Sequence, residues 1–116
     1  MPPGSYTEQL PLKPAVFHIL LALSRGSLHG LGIADDVEEA SDGVIRLGPG
    51  TLYRSLDEMR GAGLVEKADA PDGGSDPRRK YYRITVEGQA LLQAEVTRFQ
   101  RLVESARDRD VLPERT

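Results

Sequence analysis

The run Pro14-Ala15-Val16-Phe17-His18-Ile19-Leu20-Leu21-Ala22-Leu23 constrains this chain more than any other stretch. Pro14 suits the first turn of a helix, where the N–H that it lacks would have no partner. Leu12, Val16, Ile19, Leu20 and Leu23 then recur at helical spacing, while Ala15, Phe17, Leu21 and Ala22 make the remaining faces apolar too. A helix that is apolar nearly all round has to be wrapped by other elements. A chain of 116 residues has material for one core. The helix is therefore predicted at the centre of that core, stopped by Arg25 and Gly26.

The wrapping elements follow from periodicity and punctuation. Residues 30–40 read as a second helix, with Leu31, Ile33, Ala34 and Val37 inward and Asp35, Asp36, Glu38 and Glu39 outward. Ser41, Asp42 and Gly43 form a turn. A third helix opens at Pro49 and carries a narrow apolar stripe, Leu52, Leu56 and Met59; its other side shows Thr51, Tyr53, Arg54, Ser55 and Asp57. Gly61 and Gly63 end it. Residues 64–69 and 79–85 read as two short strands, joined by a loop rich in turn formers (Pro71, Asp72, Gly73, Gly74, Pro77). Thr85 is placed to cap a last helix, its hydroxyl accepting from Glu87 or Gly88 N–H. Along that helix Leu92, Val96, Phe99, Val103 and Ala106 recur at alternating intervals of four and three, a seam of period 3.5 suited to pairing with a second copy, while Leu91 and Leu102 can turn back to the core. The expected organisation is a compact unit over residues 10–85, a dimerisation helix over 86–110, and disordered ends at 1–9 and 111–116.

Several function classes drop out. Without cysteine there is no disulfide framework, thiolate metal site or cysteine nucleophile. His18 and His29 alone make a weak metal site. Gly48-Pro49-Gly50 lacks the Lys-Ser/Thr ending of a nucleotide-binding loop, and nothing buries the acids of the second helix to shift a pKa. No enzyme, cofactor or metal is expected. No apolar stretch approaches the roughly 18 to 20 residues of a membrane span, and Met1 to Leu10 lacks the basic start and apolar run of a signal peptide. A cytoplasmic protein without membrane contact is the expectation.

A net charge of −3 and a pI near 5.4 look wrong for a nucleic-acid binder until the charge is divided along the chain. Residues 1–45 carry a net −4, residues 46–85 a net +2 and residues 86–116 a net −1. The positive charge concentrates at Arg78, Arg79, Lys80 and Arg83, interleaved with Tyr81 and Tyr82. Strand alternation sets Tyr82 with Ile84 on one face, as core, and leaves Arg79, Tyr81 and Arg83 on the other. A mainly α chain with a small β-hairpin, in which an acidic second helix precedes a third with a polar face, has the element order of a winged helix-turn-helix.

Four segments make the likeness specific: Leu28-His29-Gly30, then Leu47-Gly48-Pro49-Gly50-Thr51-Leu52-Tyr53-Arg54-Ser55-Leu56, then Gly63-Leu64-Val65, and last Arg78-Arg79-Lys80-Tyr81-Tyr82-Arg83-Ile84-Thr85 followed by Glu87-Gly88. On these the chain resembles the PadR-like family of bacterial transcriptional regulators, in its short form with one C-terminal helix. Leu31, where the family usually has an aromatic residue, and Gly48, where Ser or Thr is common, are departures. The resemblance implies a homodimeric repressor that binds double-stranded DNA at an inverted-repeat operator and is released by a small molecule or another signal of unknown identity.

A recognition helix enters the major groove by its N-terminal half. Gly50 allows close approach, Thr51, Tyr53, Arg54 and Ser55 supply donors, and Arg54 can reach guanine or phosphate. Arg78, Arg79, Lys80 and Arg83 on the wing would lie along phosphates. Some members of the family hold flat aromatic drugs at the dimer centre, and Phe99 corresponds to that place. With no tryptophan in the chain, planar dyes are expected to bind there weakly or not at all. The rival reading is a winged-helix module that docks a protein partner and binds no DNA, which the overall acidity favours.

Overall fold

In the computed structural model, which describes residues 8–71 and 78–113, helix α1 (Pro14–Leu23) sits at the centre of the core. Ile19, Leu20, Ala22 and Leu23 are buried, and Leu21 is the exception at 37% exposure. Residues 1–7 and 114–116 of the expected disordered ends, and residues 72–77 of the expected hairpin loop, lie outside the described residues.

The other elements are β1 (Leu28–His29), α2 (Gly30–Ala40), α3 (Pro49–Gly61), β2 (Val65–Ala68), β3 (Tyr81–Ile84) and α4 (Val86–Asp108). Each helix start has a local cause. Pro14 and Pro49 begin α1 and α3, His29 Nδ1 accepts from Gly32 N–H at 3.1 Å to cap α2, and Thr85 Oγ1 accepts from Gly88 N–H at 3.0 Å to cap α4. The stripe of α3 packs as its spacing implies: Leu52, Leu56 and Met59 are all buried. Tyr82 is buried beside them, and this burial pushes its phenol pKa up.

The expected hairpin forms, β2 pairing antiparallel with β3, and the structure extends one reading and corrects two. First, the hairpin is part of a three-stranded antiparallel sheet of order β1-β3-β2, with Leu28 opposite Tyr82 and His29 opposite Tyr81. Two residues are too short a strand for alternation to reveal. Second, α2 is turned so that Gly30, Ile33 and Val37 face the core, an i, i+3, i+7 set, and Leu31 is left 67% exposed. Third, on α4 it is Leu91 and Leu92 together that enter the core, whereas Leu102 is 54% exposed. Among the described residues the winged unit ends before the last turns of α4, which leaves Leu102 on the surface.

Among the described residues the core also holds one charge. Glu95 is fully buried, one turn beyond Leu91 and Leu92 on the same face of α4. Its Oε1 accepts from Arg98 Nε at 2.5 Å and its Oε2 from Leu12 N–H at 2.7 Å, which ties the segment before α1 to α4. The Arg98 hydrogen bond holds this carboxyl below its usual pKa, burial opposes it, and the Leu12 N–H adds to the lowering. A carboxyl whose folded pKa is depressed stabilises the fold above the unfolded pKa, and the contribution is lost as pH falls through the folded value. Glu95→Gln should therefore cost about 1 to 2 kcal/mol at neutral pH by weakening a charge-assisted bond. Denaturant titrations of the two proteins should converge on acidification below the ordinary glutamate range.

Candidate nucleic-acid interface

The N-terminal half of α3 projects outward because only Leu52, Leu56 and Met59 are held by the core. Gly50, Thr51, Tyr53 and Arg54 are exposed, and Ser55 is half-buried. Nothing lies within 4 Å of where a Cβ on Gly50 would stand, so the backbone there is open to a ligand. Further along, Asp57 is drawn toward Arg60, 3.8 Å away.

Folding brings this helix against the wing. A cleft of about 340 Å³ is lined by His29, Gly30, Leu31, Tyr53, Arg78, Arg79 and Lys80. Residues from α3 and from the run before β3, which the sequence separates by more than a score of positions, thus share one concavity with the start of α2. Tyr53 reaches it by lying across Gly30: a Cβ there would fall 2.2 Å from the phenol oxygen. On the other side of β3, Arg79, Lys80 and Arg83 line a second cleft with Lys67 and Asp69.

Arg83 differs from Arg79 and Lys80. It stands opposite Glu66 across β2 and β3, and its Nε donates to Glu66 Oε1 at 2.7 Å. The carboxylate largely cancels its charge toward a phosphate, which alternation along one strand could not show. The acids of α2 are partly matched as well, Asp36 by Arg25 at 3.4 Å and Glu38 by Arg46 at 3.1 Å.

His29 is the residue whose place in the interface the sequence did not indicate, where it counted only as half of a weak metal site. It caps α2, and its ring also meets Tyr81 edge-on at 5.4 Å and Arg79 at 3.4 Å. Its position between a helix start and a strand that reaches the wing was the missing signal.

The seam residues of α4 are divided. Leu92 is 6% exposed inside its own core, so it offers no surface for pairing. Val96 and Val103 are exposed at 43% and 44%, and Phe99 and Ala106 are half-buried. Phe99 packs edge-on against Phe17 with ring centres 5.0 Å apart, under the Arg98 guanidinium at 4.9 Å.

Three helices, a sheet-borne wing and an outward helix N-terminus beside clustered cations define the winged helix-turn-helix class. Residues 19–94 match the transcriptional regulator PadR-like family. The chain belongs to that family, whose members are DNA-binding transcriptional regulators. No curated protein matches it significantly.

Among solved structures, a PadR family transcription regulator from Clostridium difficile is 23% identical with a TM-score of 0.69, covering 83% of this chain and 97% of its own. A transcriptional regulator from Clostridium thermocellum is also 23% identical, with a TM-score of 0.66 and coverage of 84% and 90%. H. salinarum RosR is 25% identical with a TM-score of 0.63, and the match covers 90% of this chain and 99% of that one. The likeness supports the fold. No helix among the described residues is long and apolar enough to cross a membrane.

Proposed function

We propose that the chain is a dimeric repressor that reads an inverted-repeat operator with Gly50, Thr51, Tyr53, Arg54 and Ser55, and grips adjacent phosphates with Arg78, Arg79 and Lys80. The convergence of Tyr53 with these three wing cations on one cleft carries the reading. Arg83, paired with Glu66, contributes less than Arg79 or Lys80. In this division residues 10–85 form the DNA-binding unit and 86–110 the dimerisation helix. Val96, Phe99, Val103 and Ala106 make the seam, and the exposure of two valines on a helix already anchored by Leu91 and Leu92 supports it. Two-fold pairing sets half-sites about one helical turn, roughly 34 Å, apart. Release by a small molecule or other signal completes the cycle. Phe99, already packed on Phe17, leaves planar dyes little ring face to stack on.

The test is binding to the DNA upstream of the protein's own gene, with random duplex as competitor. Arg54→Ala should cost about 1 to 3 kcal/mol against the specific site and little against random duplex. Replacing Arg78, Arg79 and Lys80 by Ala together should weaken both alike, and Arg83→Ala should do so less than Arg79→Ala. Unchanged binding in both Arg54→Ala and the triple variant would refute the assignment. Val103→Arg should shift light scattering from dimer to monomer.

A further inference from the structure

His29 Nδ1 accepts the Gly32 N–H. A neutral imidazole that accepts at Nδ1 carries its hydrogen on Nε2. That Nε2 lies 3.4 Å from a terminal guanidinium nitrogen of Arg79, a group that can only donate. Two donors therefore face one another, an arrangement that an oxygen acceptor joins and that neither side chain can close alone. The ring is held for it, because Tyr81 packs edge-on against the imidazole and sits opposite His29 in the β1–β3 pairing. Both residues line the cleft that Tyr53, Arg78 and Lys80 complete, and its cationic lining selects an anionic oxygen.

We propose that His29 and Arg79 together bind one backbone phosphate of duplex DNA, His29 Nε2–H and the Arg79 guanidinium donating to its oxygens. The inference rests on the DNA-binding reading above and adds a ligand that the reading lacked. It also gives β1 a purpose, since that short pairing registers the start of α2 against the wing.

His29→Asn tests it, because asparagine is as good a cap but is too short to present the Nε2–H donor. Affinity for a short duplex of arbitrary sequence is measured against salt, beside thermal melting. His29→Asn should melt close to the wild type and bind roughly tenfold more weakly at every salt concentration, with an unchanged log–log slope, since a neutral imidazole displaces no counterion. Arg79→Ala should instead flatten the slope by about 0.9 per phosphate. The double variant should lose less than the product of the single losses, because both groups act on one phosphate. His29→Asp, an equal cap but an anion, should weaken binding more than His29→Asn does.

Wild-type affinity in His29→Asn, or strictly multiplicative losses, would overturn the inference while leaving DNA binding in place. Failure of the wild-type chain to bind any duplex would overturn the underlying reading and this inference with it. Inorganic phosphate at matched ionic strength is the last arm. A saturable rise in melting temperature that His29→Asn abolishes, with duplex affinity untouched, would assign the cleft to free phosphate and overturn the duplex assignment.

Discussion

Gly88→Ala should cost at least about 3 kcal/mol and lower the melting temperature by roughly 10 to 20 °C. A Cβ at this position would stand 2.1 Å from the Leu64 carbonyl oxygen and 3.0 Å from both its carbon and Ile84 Cγ1. The obstacle is backbone, which cannot swing aside as a side-chain tip does. That same carbonyl accepts the Thr85 N–H at 3.0 Å, and Thr85 Oγ1 donates to Gly63 O at 2.6 Å, so the root of the wing and the first turn of α4 are locked at this point. Moving them apart breaks both bonds and opens the core at Leu64 and Leu91. Gly61→Ala is the control. Nothing lies within 4 Å of its Cβ, and its melting temperature should stay level or rise slightly, since alanine favours a helix. Equal melting of the two variants in calorimetry would show that the close approach carries no energy.

Salt should act on DNA affinity with comparable force. If Arg78, Arg79 and Lys80 each neutralise a phosphate, a pair of protomers makes about six such contacts, for a log–log slope of about −5.4. A fourfold rise in salt then weakens binding by about 10³. A single protomer would show a slope near −2.7 and a loss of only about 40-fold. Fluorescence anisotropy titrations across that range separate the two, and Val103→Arg should carry the protein from the first behaviour to the second. A slope near zero would contradict a phosphate role for the wing. Arg83 is left out of this count because Glu66 pairs with it, so Glu66→Gln should steepen the slope by releasing it.

Much of the architecture was legible in the chain. Pro14, Pro49 and Thr85 mark three helix starts, and Leu52, Leu56 and Met59 name the buried side of α3, because capping and periodicity act over a few neighbouring residues. Two members of the candidate interface were partly hidden. Arg83 reads as a free cation until β2 brings Glu66 opposite it, and His29 has no visible role in the interface until β1 sets it beside β3. Glu95 offered a signal that went unused. It continues the face of Leu91 and Leu92, and an arginine three residues on stands ready to pair with it.

Local chemistry was thus enough for the helices, the wing and the polarity of α3, since each depends on contacts within a turn or a hairpin. The rest depended on partners far away in sequence. Leu31 faces outward because Gly30, Ile33 and Val37 fit the core better as a set, a choice made by packing and not by hydrophobicity. Leu92 is core and Leu102 surface because the winged unit reaches only part of the way along α4. Glu95 stays charged inside because Arg98 pairs with it from one turn on, and Leu12, 83 residues earlier, adds an N–H to its other oxygen. Periodicity names the apolar residues of a helix, but which face is covered, and by what, is settled when the elements meet.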